Sequence, residues 1–74
     1  MTPTEIRNAI EQKLGKPMTA NVGTEYDDVI GFQLRPGEKL CVVKSTGKVV
    51  WEEDLPDKYA PKGTGKIYIL PPED

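Results

Sequence analysis

The sequence predicts one α+β domain, in which an N-terminal helix packs on a small antiparallel sheet of three to five strands. Three observations lead to this prediction. Apolar residues repeat with helical spacing over the first 14 positions, they alternate with polar residues from Met18 onwards, and glycine-containing turns separate the alternating segments. The 74 residues are enough for one core, and we expect a single domain over 1–74.

Segment 3–14 has the signals of a helix at both of its ends. Thr2 and Glu5 have the spacing of a capping box, and Gly15 suits the left-handed residue that follows a helix. The segment has one apolar face, made of Ile6, Ala9, Ile10 and Leu14. Arg7 is expected on the opposite, solvent-facing side. The helix must therefore cover one face of the sheet.

Period-two alternation and turn residues predict the strands. The segments are 18–22, 26–34, 40–44, 48–53 and 66–70, of which the first has the weakest pattern. Pro36 and Gly37 occupy the central positions of a predicted type II turn. Residues 54–65 contain two prolines and two glycines and are predicted to form a loop.

The hairpin around residues 45–47 sets the expected faces of the sheet. A three-residue loop ending in a left-handed glycine would pair Val43 with Val49 and Cys41 with Trp51. Both faces of this hairpin are apolar, and one helix can cover only one of them. We therefore expect that the sheet either curls towards a barrel or meets a partner with the face that carries Trp51.

Composition favours a soluble, cytoplasmic protein. The net charge of −2 argues against nucleic acid as the default partner. The single cysteine excludes an intramolecular disulfide, which points to a reducing compartment. No apolar run has the length of a membrane span, so no membrane partner is expected.

The sequence offers no recognisable catalytic, metal or cofactor site. It contains no histidine, and Cys41 lies between apolar neighbours with nothing to activate its thiol. Asp27 and Asp28 are adjacent on a predicted strand, so their carboxylates would point to opposite faces. Segment 62–66, Lys-Gly-Thr-Gly-Lys, precedes a strand, whereas a phosphate-binding loop follows a strand and opens a helix. We predict that the protein is not an enzyme and uses no cofactor.

The hairpin Cys41–Trp51, with its Thr-Gly turn, aliphatic pair and tryptophan, resembles one hairpin of the quinoprotein β-propellers. It is also loosely similar to the last hairpin of PepSY-type domains, some of which are thought to inhibit peptidases. The first likeness covers 11 of 74 residues, and we transfer no site residue from either family.

The function predicted from the sequence is a small protein-binding module, accessory or inhibitory, that docks through an apolar and aromatic sheet face. Trp51, Tyr59 and Tyr68 are the candidate partner-binding residues, because aromatic side chains dominate interface energetics. The partner would be another protein or a second copy. One alternative is nucleic-acid binding, and a further one is a non-autonomous enzyme subunit. The first alternative would use the lysine-bearing sheet, with Lys39, Lys44, Lys48, Lys58, Lys62 and Lys66.

Overall fold

The structure, a computed structural model, describes residues 2–18 and 21–71 and confirms the α+β prediction. The elements are α1 (Pro3–Leu14), β1 (Val22–Glu25), β2 (Val29–Arg35), β3 (Glu38–Val43), β4 (Val49–Trp51) and β5 (Lys66–Ile69). All neighbouring strands pair antiparallel in the order β4-β3-β2-β1-β5. The five-stranded sheet is open, because β4 and β5 form its two edges without pairing to each other. The barrel alternative therefore does not hold.

The helix α1 begins and ends where its sequence signals place it. The Glu5 N–H donates to Thr2 Oγ1 at 3.2 Å, and the Thr2 N–H donates to Glu5 Oε1 at 2.9 Å, which completes the capping box. Gly15 adopts φ 74°, and its N–H donates to the Glu11 carbonyl oxygen at 2.8 Å. Local chemistry alone is enough to set both ends of this helix.

Arg7 is buried, whereas the sequence predicts it on the solvent-facing side of the helix; the apolar face of α1 packs on the core as predicted. Only 6% of the residue is exposed, and its Nη2 donates to Asn21 Oδ1 at 2.7 Å and to the Pro71 carbonyl oxygen at 2.6 Å. Two acceptors compensate part of the cost of burying a guanidinium. Through Arg7, the helix is bonded to the residue before β1 and to a residue just after β5.

The core lies between α1 and the sheet face that we call the inner face. Ile6 and Ile10 of the helix pack there on buried side chains of the sheet, namely Ile30, Phe32, Leu40, Val42 and Leu70. Gly23 of β1 lies directly over the Phe32 ring. A Cβ at that position would be 2.6 Å from the ring and 2.6 Å from the Gly31 carbonyl oxygen, so only glycine fits.

The β3–β4 register differs by one residue from the predicted one. The pairs are Leu40 with Trp51, Cys41 with Val50 and Val42 with Val49. Lys44 joins the loop instead of the strand, as the Val43 N–H to Lys48 carbonyl bond of 2.9 Å indicates. The loop therefore has four residues, and Gly47 ends it with the expected positive φ of 74°. A shift of one residue turns every β4 side chain to the face opposite the predicted one. Trp51 therefore shares a face with Leu40 and lies on the inner face against the core.

Of the strand predicted over 26–34, residues 29–34 belong to β2, and residues 26–28 form a turn before it. The Tyr26 N–H donates to the Val29 carbonyl oxygen at 2.8 Å, which closes a tight β1–β2 turn. The sheet therefore gains β1 ahead of this turn. Of the strand predicted over 18–22, Val22 begins β1, and Thr19 and Ala20 lie outside the described residues.

Residues 52–65 connect β4 to β5 and must cross the sheet, because these two strands lie at opposite edges. The connection contains short 3₁₀ turns at Glu52–Asp54 and Asp57–Tyr59. On the outer face, away from α1, Val29, Cys41 and Val43 are at most 3% exposed, so the β2–β3 part of this face is covered as well. Because α1 lies on the inner face, the connection is the described segment that remains to cover them, and its first turn, Glu52–Asp54, lies next to β3. The expected open face at Trp51 is thus absent.

Candidate docking surface at the β5 edge

The three aromatic residues predicted as partner anchors do not lie together. Trp51 is on β4 and Tyr68 is on β5, at opposite edges of the inner face, roughly four strand spacings or ~19 Å apart. Tyr59 belongs to the connection, with Lys58 Nζ 5.0 Å from its ring centre. They cannot act as one cluster, although each is partly exposed.

Tyr68 is held on the inner face by an aromatic contact. Its ring meets Phe32 edge to face, with centroids 6.1 Å apart and an interplanar angle of 86°. Partial burial, and to a lesser extent the charge of Glu25, raise the pKa of the Tyr68 hydroxyl above its ordinary value. The phenol is therefore neutral at physiological pH and contributes packing rather than charge.

The outer face of β1 and β5 carries the large apolar side chains that are most exposed. Val22 is 58% exposed, Ile67 79% and Ile69 66%. Val22 pairs directly with Ile69, and Ile67 lies two residues further along β5 on the same face, so the three side chains adjoin. We call this group, Val22, Ile67 and Ile69, the edge patch. Exposed patches of this kind mark interaction sites more often than single exposed residues do.

Along β5, backbone hydrogen bonds point alternately towards β1 and away from it. The Leu70 N–H donates to the Asn21 carbonyl oxygen at 2.7 Å, which sets the phase of this alternation. Tyr68 is then the next residue whose backbone bonds to β1. Ile67 and Ile69 direct their N–H and C=O groups outwards from the sheet edge, on the side where the described part of the chain has no further strand.

The two ends of β5 are fixed to the rest of the fold. Before the strand, the Asp27 N–H donates to the Lys62 carbonyl oxygen at 3.3 Å. After it, the Pro71 carbonyl oxygen accepts the 2.6 Å bond from Arg7. The open edge is thus short and is bonded to the rest of the fold beyond both ends, with Lys66 at its start and Pro71 just beyond its end. Lysine and proline are residues that limit pairing at an edge to the part between them.

Two cavities of the described residues lie beside aromatic residues that the sequence predicts as partner anchors. A shallow cavity of about 470 Å³ next to Trp51 has a largely charged wall, with an ion pair of 3.3 Å between Lys39 Nζ and Glu52 Oε2. A second one, of about 130 Å³ near Tyr68, is small for a ligand site. Within 2–18 and 21–71, no three potential metal ligands gather.

Cys41 is a buried thiol on the outer face of β3. Burial, together with the nearby Glu52 charge, raises the pKa of the Cys41 thiol, and Lys39 opposes this only in part. A raised pKa leaves little thiolate at neutral pH, which is the reverse of what a nucleophilic cysteine requires.

Sequence reasoning missed the edge patch, although its signal was present. Lys66–Ile69 reads Lys-Ile-Tyr-Ile, so the two isoleucines must share a face. The sequence pattern does not predict that α1 and the connection leave this face of β5 uncovered, because that depends on how the elements pack.

No helix in the described part of the chain is long and apolar enough to cross a membrane. Comparisons with protein-family models, with curated proteins and with solved structures found no match to this chain.

Proposed function

We propose that this protein is a non-catalytic protein-binding module that docks a polypeptide strand on the β5 edge. One observation carries the proposal. Ile67 and Ile69 combine the two features that strand addition uses, because their side chains are largely exposed and their backbone groups point out of the sheet. In strand addition, backbone hydrogen bonds give affinity and alternate side chains give specificity.

The energetics of the edge patch favour a strand with apolar side chains on the outer face. Apolar surface removed from water contributes about 25 cal/mol per Å². Val22, Ile67 and Ile69 retain most of their exposure in the free chain, so a docked strand can still gain this contribution from each of them. A partner strand with charged residues opposite the edge patch would not gain this contribution to the binding free energy.

Of the three aromatic residues predicted as anchors, Tyr68 lies on β5 and would border the docked strand on the inner face. A partner role for Trp51, which borders the charged cavity, and for Tyr59 stays a prediction.

The nucleic-acid alternative has less support. Lys44 Nζ is 2.7 Å from Glu25 Oε2, and Lys39 is also paired with a carboxylate, so part of the basic charge is neutralised within the protein. An enzyme subunit has less support, because no three potential metal ligands gather in the described residues and the Cys41 thiol is buried. The unpaired, buried Cys41 fits the reducing cytoplasm that we propose as the compartment.

Site-specific photo-crosslinking tests this function. Benzoylphenylalanine replaces Ile67 on the edge patch, and Val50 serves as the matched control, since it lies on the same face at the opposite edge. In a cell extract, position 67 should crosslink a polypeptide in clear excess over position 50. The adduct should disappear when Ile69→Lys is added to the same chain. Equal yields from both positions, or an adduct that survives Ile69→Lys, would overturn the proposal.

A further inference from the structure

We infer that the strand docked on β5 is β5 of a second copy, paired antiparallel about a two-fold axis through Tyr68. This inference rests on the proposed function, since it names the partner of the same edge. It follows from the phase of the backbone hydrogen bonds, the faces of the side chains and the residues that limit β5.

A two-fold axis between two identical edge strands restricts the possible registers. In a continuous sheet, residues that face each other across two strands lie on the same face. Two copies of β5 can therefore pair only when an inner-face residue meets an inner-face residue and an outer-face residue meets an outer-face one. Such a pair is centred on a residue, and the candidates are Ile67, Tyr68 and Ile69.

The register centred on Tyr68 uses the edge most completely. It places Ile67 opposite Ile69 of the second copy, and the reverse, so the two most exposed of the described large apolar side chains meet on the outer face. Their backbones both point outwards, so each such pair can exchange two hydrogen bonds.

Each of the two other registers leaves an edge residue without a suitable residue opposite it. Centring on Ile67 places Ile69 opposite Gly65 of the second copy, which has no side chain to cover it. Centring on Ile69 places Ile67 opposite Pro71 of the second copy. Proline has no N–H to donate, and the Pro71 carbonyl oxygen already accepts the Arg7 hydrogen bond at 2.6 Å.

The charges of β5 are compatible with this pairing. In the Tyr68-centred register, the two copies of Lys66 lie on opposite sides of the axis, roughly 14 Å apart by strand geometry. This separation exceeds the screening length of about 8 Å at physiological ionic strength. In this register Lys66 lies opposite Leu70 of the second copy and not opposite another charged residue, so the interface contains no close repulsion between lysines.

The assembly should stop at two chains and should be weak. A two-fold pair uses the β5 edge of both copies, and an isologous contact closes on itself. The edge patch has only three residues in each copy, so the contact is small and we expect weak association.

Sedimentation equilibrium tests the second copy as the partner. The wild-type chain should show a concentration-dependent monomer–dimer equilibrium, Ile69→Lys should be monomeric throughout, and Val50→Lys should behave as the wild type. Trp51 fluorescence provides the folding control, since Trp51 lies at the far edge of the sheet. A monomeric wild type at every accessible concentration overturns the inference. So does a dimer that Ile69→Lys leaves intact.

Disulfide trapping tests the register. Tyr68→Cys should form a covalent dimer on mild oxidation, because its Cα would face its own symmetry copy at about 4.5 Å. Ile67→Cys alone should not, since it faces residue 69, whereas the double variant Ile67→Cys/Ile69→Cys should. The double variant keeps the contact of Tyr68 with Phe32 and so remains informative if Tyr68→Cys folds poorly. The wild-type chain, whose one cysteine is Cys41, shows how much covalent dimer forms through Cys41 itself. Trapping through Ile67→Cys alone would overturn the register.

Failure of this inference can be told apart from failure of the proposed function. A monomeric wild type whose position 67 crosslinks a different polypeptide overturns the second copy and leaves strand docking in place. A wild type whose position 67 crosslinks nothing beyond the control level overturns both.

Discussion

The two edge strands of the sheet, β4 and β5, are both short, but the rest of the chain covers them to different extents. At β4, the helix α1 contacts the strand, Val49 and Trp51 pack against the core, and a 3₁₀ turn follows at once. At β5, the inner face is packed through Tyr68, but Ile67 and Ile69 remain exposed on the outer face. The difference lies on the outer face of the sheet, where the side chains of β3 are buried and those of β5 are exposed.

Chain length explains this difference in physical terms. A helix of 12 residues is about 18 Å long and can cover only part of a five-stranded sheet. The connection 52–65 crosses the sheet and leaves Val29 and Cys41 buried, but it has to join β5 itself. The residues that the structure describes therefore leave the outer face of β5 uncovered, and that corner of the sheet is available to a partner.

The largest effect is expected from Gly23→Ala, on the inner face of β1 next to β5. The new Cβ would lie 2.6 Å from the Phe32 ring and the Gly31 carbonyl oxygen, so the strand must move. We expect a loss of about 3 kcal/mol in the free energy of unfolding, measured by urea denaturation. Gly31→Ala is the matched control, because the atom nearest to its Cβ is in the flexible end of Lys39, at 3.1 Å, and the nearest backbone atom is at an ordinary contact distance of 3.9 Å. Equal effects of the two would mean that β1 is not tightly packed over Phe32.

Trp51→Ala tests the β4 edge, with an expected cost of about 2 kcal/mol because the indole packs partly buried against the core. The change should lower the urea midpoint while leaving self-association of the remaining folded chain unaltered. If the substitution left stability unchanged and abolished association, Trp51 would be an interface residue and the two edges would have exchanged roles.

Arg7→Met tests the attachment of the β5 edge to the helix. The substitution leaves Asn21 Oδ1 and the Pro71 carbonyl oxygen without the donor that Arg7 supplies, at an expected cost of about 1–2 kcal/mol in thermal or urea unfolding. Amide exchange near Leu70 should accelerate more than exchange in β3. Uniform acceleration over the sheet would show that Arg7 has no local role at this edge.

Ile67→Thr should have the smallest effect on folding. Its side chain is 79% exposed and threonine keeps the β-branched shape, so dilute protein should lose less than about 0.5 kcal/mol. Self-association measured in concentrated protein should nevertheless weaken. A large loss of stability in dilute solution would mean that Ile67 is already covered within the monomer.

The parts of the fold that depend on neighbouring residues were predictable from the sequence. The capping box of Thr2 and the left-handed Gly15 act within one turn of the helix, and the segment 66–70 reads as a strand by itself. The register of β3 and β4 was wrong because one extra loop residue, Lys44, reverses all faces. No local pattern distinguishes the two loop lengths.

The candidate site depends on contacts between distant parts of the chain, which is why sequence reasoning missed it. The alternation in Lys66–Ile69 places both isoleucines on one face, but which face remains open depends on where residues 52–65 cross. Arg7 was misassigned for the same reason, since its acceptors lie 14 and 64 residues away along the chain. Residue type alone predicts Trp51, Tyr59 and Tyr68 as anchors. Residue type does not determine on which edge or face of the sheet a side chain lies.

Amide hydrogen exchange of the wild-type chain, resolved by residue, tests most directly that β5 is open in the monomer and covered by a second copy. In dilute solution the Ile67 and Ile69 N–H groups should exchange fast, whereas the Tyr68 N–H, bonded towards β1, should be protected. On raising the concentration, Ile67 and Ile69 should become protected while β4 does not change. Fast exchange of Ile67 and Ile69 at every concentration, or protection already in the dilute monomer, would contradict the account.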